Sequence, residues 1–571
     1  MRPVELLLFA ITTWRPIAAS VVHGEREASA SCRVLPGDAA WPSESAWNQL
    51  NASINGQLVA TAPLGSPCHD PNFDDAACTA VQKQWTLPQL HLPSSSSVMA
   101  PFFANQSCDP FTPREWPCTL GNYVSYAVNI SSAADVATTI KFVKQYNIRL
   151  VVRNTGHEFS GRSTGAGGLA IWVHGLKQAD IIDWADDCYT GPALKAGAGI
   201  LGAEAIETAN AHGLVVLTGE CPTVGLAGGF IQGGGHSALS TSFGMAADQV
   251  LEYEVVTADA TVLKASPSTN SDLYWALSGG GGGTYGIVTS VTVRAHPAGN
   301  VGGGTLSLAL KYTNQTNFGK AVAEFHSLLP RMIDQGASIS YILTSGALQI
   351  GSITVFNSTG DFVQNTVLAP LINVLTQLAI PFQSTFTTLS YRDHYNTYMG
   401  PLPNGHLTVE SYQFGGRLIP RTVVKEDNQS LQAAIQNVTS QGVIVVGTAS
   451  SWTAPARGPA NAVFPPWRDA LIQLQLLTIW DPKNWDKMLS DQKRITDEIV
   501  PQFSAITPGS GAYLNEADFN EPQWKETFFG GNYDKLLSIK NRWDPENLFY
   551  VLKGVGSEAW TVSSDGRMCR A

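Results

Sequence analysis

Three glycine-rich stretches set the first constraint on how this chain folds. Val151–Ser163, VVRNTGHEFSGRS, leaves an apolar strand at Arg153 and turns at Gly156, with Gly161, Gly165, Gly167 and Gly168 following. Thr218–Asp248 holds eight glycines and one cysteine in thirty-one residues. Asp272–Val288, DLYWALSGGGGGTYGIV, is the third. A flexible linker is rich in Gly and Ser and poor in aromatics. Here Trp275, Leu277, Tyr285 and Ile287 flank the glycines, and each stretch abuts a strand. Glycine lets backbone approach a ligand closely, and N–H groups in a tight turn converge on phosphate oxygens that no side chain screens. Three such crossings beside one sheet fit a long, flat ligand such as a dinucleotide. The G-x-G-x-x-G pattern of a Rossmann strand-to-helix turn is not what the sequence offers, so a different dinucleotide fold is expected.

The surrounding pattern mixes helix and strand. Ser131 or Ser132 caps a predicted helix whose Val136, Ile140 and Val143 share one face. Ile148–Asn154, GLAIWVHG from Gly168 and GIVTSVTVRAHP from Gly286 read as strands, the last closed by Pro297. GILGAEAIETANAHGLVVLTG, from Gly199, reads as a helix ended by Gly213 and then a strand, and QVLEYEVVTADATVLKAS as a hairpin around Asp259. AGNVGGGT, Ala298–Thr305, is expected to break the chain between domains. Longer elements follow: NFGKAVAEFHSLLPRMID, ASISYIL, LQIGSITVF and HLTVESYQF. Residues 21–118, rich in Pro, Ser and Cys, read as a loop-rich segment, and the last sixty residues as loop-rich and aromatic. No internal repeat is evident.

At 571 residues, with 44% hydrophobic and 14% charged residues, the chain can bury a large core. Its net charge of −11 disfavours nucleic acid as a partner, and no run of 18 or more apolar residues spans a bilayer. MRPVELLLFAITTWRPIAAS resembles a secretory signal peptide. Seven N-x-Ser/Thr sequons, at Asn51, Asn105, Asn129, Asn314, Asn357, Asn428 and Asn437, lean the same way. So do Cys32, Cys68, Cys78, Cys108 and Cys118, crowded into the N-terminal fifth, with Cys569 near the end. Six cysteines allow fifteen pairings. No Cys-x-x-Cys pair or nearby histidine cluster points to zinc, and no metal is expected. The expected location is secreted or an endomembrane or vacuolar lumen.

The motifs together resemble vanillyl-alcohol-oxidase-type flavoproteins. R-x-x-G-H-x-x-x-G at Arg153–Gly161 is similar to their phosphate loop. GECPTVG, GGGHS and DLYWALSGGGGGTYGIVTS resemble the berberine-bridge-enzyme-like branch, as does the closing YLNEAD…NYDKLLSIKNRWDPENLFYVLKGVGSE. The motifs are also similar to those of natural-product-pathway and isoamyl-alcohol-oxidase-like members. The likeness covers about residues 118–300 and 510–558 well and is weaker across 301–509. It implies an α+β fold. A PCMH-type FAD-binding domain (119–298) would stand beside an α+β substrate domain (299–510), an antiparallel sheet covered by helices. A berberine-bridge-like segment (511–571) would return to the FAD domain. A signal peptide (1–20) and the Cys/Pro-rich segment (21–118) are expected to precede them.

The resemblance also implies roles. The cofactor is FAD, linked at its 8α methyl through His157 and at C6 through Cys221. With Cys221 on the flavin, six cysteines could form three pairs and leave Cys188 as a buried thiol. Arg153, Thr155, Gly156, Glu158, Phe159, Ser160, Gly161, Val224, Gly225, Gly228, Gly229, Gly235, His236, Gly286 and Ile287 are expected around the cofactor. Valine at 224 is associated in this family with oxygen reaching the flavin. The run Tyr513, Leu514, Asn515, Glu516, Ala517, Asp518 places Glu516 where many members have a tyrosine base, so the expected catalytic residues are Glu516, Tyr513 and Asn515. His406, Thr408, Glu410 and Tyr412, read as one strand face, are a rival source of the base. The implied partners are a small-molecule alcohol or phenol-like substrate and O2, giving H2O2. A flavin dehydrogenase, an oxidative cyclase and a catalytically silent binding protein are the alternatives, and the sequence leaves the substrate and the oligomeric state open.

Overall fold

The computed structural model describes residues 31–455 and 458–571. The leader expected at 1–20 lies outside the described residues. Two sheets share the first core. One has the strand order Leu58–Ala60, Tyr126–Asn129, Leu169–Trp172, Leu150–Arg153, parallel except for its first pair. The helix Ala133–Tyr146 carries the chain from Tyr126–Asn129 to Leu150–Arg153, and Leu169–Trp172 then inserts between these two strands. Ser132 accepts from Asp135 N while Asp135 caps Ser132 N in return, and Val136, Ile140 and Val143 are fully buried beneath it. The second sheet is antiparallel, in the order Ala179–Ala185, Thr190–Gly197, Ile287–Arg294, Val250–Val256, Val262–Ala265. Its last pair is the hairpin expected around Asp259. One apolar cluster, including Ile140, Leu169, Leu194 and Val291, joins both sheets.

A seven-stranded antiparallel sheet has its own core. Its order is Phe382–Ser390, Asn300–Ala309, Ala347–Phe356, Ala337–Leu343, Ile444–Ala449, Ala470–Ile479, Tyr412–Pro420. The helices Gln315–Asp334, Ala369–Gln377 and Asn428–Ser440 cover one face, where Phe325, Leu371 and Ile435 meet Ile472, Leu474 and Leu476. Side chains alternate along a strand, so Gln473 and Gln475 point to the opposite face.

Five expectations need correction. Gly302, Gly303 and Gly304 do not break the chain but lie inside a sheet strand. A Cβ at Gly302 would sit 2.4 Å from Thr359 O and one at Gly303 2.7 Å from His394 Nδ1, so these glycines permit close packing. His406, Thr408, Glu410 and Tyr412 do not share a strand face. The strand starts only at Tyr412, because Val409 N and Glu410 N donate to Thr86 O and Met99 O of the N-terminal segment. That segment is more ordered than its composition suggests. Its helices Glu44–Ser53 and Asp75–Gln84 are capped by Ser43 and Asp74, and Trp47, Leu50 and Ile54 enter the first core. The last sixty residues likewise hold a helix, Tyr533–Trp543.

Disulfides join Cys32 to Cys569, Cys68 to Cys78 and Cys108 to Cys118. Cys188 is an exposed thiol rather than a buried one. It occupies the tight link between two strands, where Asp186 Oδ1 accepts from Cys188 N and Tyr189 N and turns the chain outward. No helix among the described residues is long and apolar enough to cross a membrane.

Candidate active site

The three glycine-rich stretches meet. A Cβ at Gly225 would fall 2.5 Å from Asn154 Oδ1 and one at Gly228 2.9 Å from Asn154 Nδ2, which locks the second stretch against the end of the strand Leu150–Arg153. A Cβ at Gly282 would fall 3.1 Å from Gly229 Cα. Gln232 O accepts from Gly279 N and Gly281 N, tying the second stretch to the third. Only residues without side chains allow backbones this close.

The first loop carries buried positive charge. Arg153 is 1% exposed. Its Nη2 donates to Ser94 O at 3.3 Å and Thr155 O at 3.5 Å. Its Nε and Nη1 have no partner among the described residues, and neither does Arg162 Nη2. Burial pulls both guanidinium pKa values down to about 10, with the Glu158 charge acting the other way. Gly156 has φ 83°, and a Cβ there would touch Arg153 Nη1 at 2.8 Å. Glu158 turns its carboxylate into its own loop, accepting from Ser160 N at 2.7 Å and from Ser163 N and Oγ at 3.0 and 2.9 Å. It staples the turn. Thr155 and Ser160 are buried beside it. Gly161, at φ 63°, lies where a Cβ would strike the Phe103 ring. Phe159 stacks on Phe414 of the seven-stranded sheet, centroids 3.5 Å apart.

His157 and Cys221 are brought together by a residue the sequence reading passed over. Thr223 Oγ1 lies 2.9 Å from His157 Nε2 and 3.2 Å from Cys221 Sγ. Burial, with the charges of His91 and Arg153, pulls the His157 pKa down to about 3, so the imidazole is neutral with a ring nitrogen available. Burial pushes the Cys221 thiol up, and the Thr223 hydroxyl partly offsets it.

Glu516 is the centre of the polar cluster. Gln475 Nε2 donates to Oε2 at 2.7 Å and Gln473 Nε2 at 3.1 Å, while His236 Nε2 lies 3.2 Å from both carboxylate oxygens. Burial alone would lower the His236 pKa. The Glu516 charge and hydrogen bond, helped by Glu220, outweigh it and raise the value. Glu220, beside Cys221 in sequence, accepts from Ser340 Oγ at 3.0 Å, and burial raises its pKa while the His236 charge opposes this. Tyr513 packs edge-on against His236 and Trp467. Burial, then the Glu516 charge, push its phenol up, so it stays protonated at neutral pH. Asn515 Nδ2 donates to Gly229 O at 2.7 Å and Tyr513 Oη at 2.9 Å, fastening the C-terminal segment to the second glycine stretch.

Val224 donates its N–H to Cys221 O and packs against the first core. Gly235, at φ 73°, sits between Ala246 and Phe230. Ile287 starts a buried strand, and a Cβ at Gly286 just before it would lie 2.6 Å from Val255 Cγ2. The sequence reading missed Gln473, Gln475, Glu220 and Thr223. The first two carry a period-2 signal in ALIQLQL.

These features fit a bound FAD. A glycine turn with buried guanidinium nitrogens suits a pyrophosphate, the meeting glycines suit a flat ring, and His157 and Cys221 sit together. Residues 124–266 match the FAD binding domain family, and residues 512–556 match the family described as berberine and berberine like. The chain is 48% identical to FAD-linked oxidoreductase ZEB1 of Gibberella zeae over 545 residues, covering 95% of this chain and 96% of that one. It is 41% identical to the VAO-type flavoprotein oxidase VAO615 of Thermothelomyces thermophilus over the full length of both. The crystal structure of MtVAO615 from Myceliophthora thermophila C1 superposes with a TM-score of 0.91, covering 95% of this chain and all of that one. A glucooligosaccharide oxidase from Acremonium strictum, a protein with a 6-S-cysteinyl, 8α-N1-histidyl FAD, shares the fold at TM-score 0.58 and 19% identity, over 76% of this chain and 92% of that one. The chain is therefore an FAD-dependent oxidoreductase and belongs to the vanillyl-alcohol-oxidase family, in its berberine-bridge-enzyme-like branch.

Proposed function

We propose that this protein is an oxidase that takes a proton and a hydride from an alcohol or phenol-like small molecule, with O2 as the final acceptor. The observation that carries the reading is the Glu516 carboxylate, held by Gln473, Gln475 and His236 at the junction of the sheet and the glycine stretches. Bound FAD would supply the redox chemistry, a two-electron oxidation of the substrate coupled to reduction of O2 to H2O2.

The chain's residues do the rest. Arg153 and Arg162 bind the pyrophosphate, with Glu158 holding the turn in shape. His157 and Cys221 would hold the flavin covalently, at the 8α methyl and at C6. Glu516 takes the hydroxyl proton, and His236 stabilises the carboxylate beforehand. Three donors on one carboxylate fix its direction, which is what a general base needs. Val224 leaves room for oxygen. A secreted, disulfide-bonded chain serving a natural-product pathway is consistent with the three disulfides and the seven sequons.

The test is peroxide release from the holoenzyme against a panel of alcohols, sugars and phenolics. Stoichiometric peroxide with one class supports the reading. Substrate reduction of the flavin without peroxide would make the protein a dehydrogenase. No reduction by any member of the panel would count against catalysis on these groups.

A further inference from the structure

A cavity of about 290 Å³ lies between the N-terminal segment and the ends of two strands of the seven-stranded sheet. Trp85, Phe111, Tyr412 and Trp480 line it, with Glu410 and Ile479. Four separate stretches of the chain build it. Phe111 lies inside the Cys108–Cys118 disulfide loop, and backbone bonds from Val409 and Glu410 to Thr86 and Met99 hold the parts together. The cavity is distinct from the Glu516 cluster. Ile479 is four residues beyond Gln475 on one strand, about 13 Å away at the usual rise.

Glu410 is the unexplained group. It is 6% exposed, its Oε1 has no hydrogen-bond partner among the described residues, and its backbone sits at φ 58°, a left-handed conformation that a non-glycine residue holds only under constraint. A buried carboxyl oxygen without a partner is costly to keep. Aromatic faces carry negative charge and attract cations. Four aromatic side chains around an acid with one unpartnered oxygen disfavour an anion, and a purely apolar ligand would leave that oxygen unpartnered.

We propose that this cavity binds the ammonium group of a small organic cation, with Glu410 as its counter-ion and the aromatic side chains around its apolar body. The titrating surroundings agree. Burial holds the Glu410 carboxyl well above the usual range, the nearby Asp109 charge adds to this, and the Trp85 indole offsets part of it. Tyr123 also faces Glu410 and stays protonated, held so first by burial. His91 packs edge-on against Trp85 at 5.1 Å, and burial draws its pKa down to about 4, so it adds no competing positive charge at neutral pH. A bound ammonium ion therefore displaces the Glu410 proton to the buffer, and affinity rises with pH.

Calorimetry on the flavin-loaded protein tests this with 2-phenylethylammonium, its uncharged counterpart 2-phenylethanol, and Nα-acetyl-lysine amide. The expected result is saturable binding of the ammonium ion, at least tenfold tighter than the alcohol, with proton release read from the buffer dependence of the heat. Glu410→Gln is expected to weaken it at least tenfold. Ile479→Arg, at a side chain 60% exposed, puts a cation at the mouth without touching the core and gives the same loss should the first variant fail to fold. Equal binding of ammonium and alcohol, absence of saturable binding, or parent-like binding by either folded variant overturns the proposal. Tighter binding of the lysine amide also overturns it as written, moving the site to a partner protein's lysine. None of these readouts depends on turnover, so they stand apart from the oxidase reading.

Discussion

Gln475 and Glu516 are 41 residues apart in sequence and joined by a 2.7 Å hydrogen bond. The bond ties the seven-stranded sheet to the C-terminal segment at the one carboxylate that His236 also reaches. A neutral amide donor orients a carboxylate without neutralising it, which suits a group that must accept a proton.

Glu516→Gln is expected to slow flavin reduction by about 10²–10⁴-fold, the usual worth of a general base, with flavin content unchanged. Gln475→Leu removes a donor to a charged group, at a cost of about 1–3 kcal/mol, and should lower kcat far more than it raises KM. Rapid mixing with substrate under anaerobic conditions measures both. Unchanged reduction in Glu516→Gln would move the base elsewhere, with Tyr513 next to be tested.

His157→Ala should leave flavin attached through Cys221, and Cys221→Ala should leave it attached through His157. The double variant should release it on acid denaturation. Both single variants should reduce more slowly, since losing an attachment lowers the flavin's potential. Colour retained by the denatured, filtered protein is the readout. Flavin freed from the unmodified protein would refute both links, and flavin retained by His157→Ala but not Cys221→Ala would leave only the cysteine link.

Val224→Leu should slow reoxidation by oxygen much more than reduction by substrate. The two half-reactions are measured separately, and an equal effect on both would remove Val224 from the oxygen path.

Stability should fall on the acid side. Burial holds His326 near a pKa of about 4 and His394 near about 3, both below the ordinary 6.5. His326 donates through Nδ1 to Val322 O and accepts at Nε2 from the Tyr341 hydroxyl, an arrangement only the neutral ring can make. The unfolded chain takes up these protons as pH drops below 6.5 and the native chain does not, so stability is full above that value and lost as pH falls. Each histidine contributes a slope of about 1.4 kcal/mol per pH unit. Denaturant unfolding of His326→Gln/His394→Gln across this range should show a shallower acid decline; an unchanged slope would assign the effect to other groups.

Much of this was legible because local chemistry marks it. The glycines at 225, 228 and 282 signalled close backbone approach, and they touch the neighbours that demand it. Ser132 announced a helix start. Glu410 was misread because alternation in HLTVESYQF looks like a strand, while the backbone partners that break it are Thr86 and Met99, over three hundred residues away. Gly302–Gly304 were misread because glycine permits both a break and a tight packing, and only Thr359 and His394 decide between them. Gln473 and Gln475 gave the alternation of a half-buried strand, but nothing local said that a carboxylate from residue 516 would meet them.

The Cys32–Cys569 bond gives the covalent structure a different topology from that of an open chain. It closes a ring spanning a separation of 537 residues, reinforced by backbone bonds from Arg33 to Met568 and from Arg570 to Ser31. A loop this long removes much of the unfolded chain's freedom, with stabilisation at the upper end of the disulfide range, about 5 kcal/mol. A single proteolytic cut anywhere between these cysteines opens the ring without releasing a fragment, so one nick leaves the molecule at full mass until the disulfide is reduced.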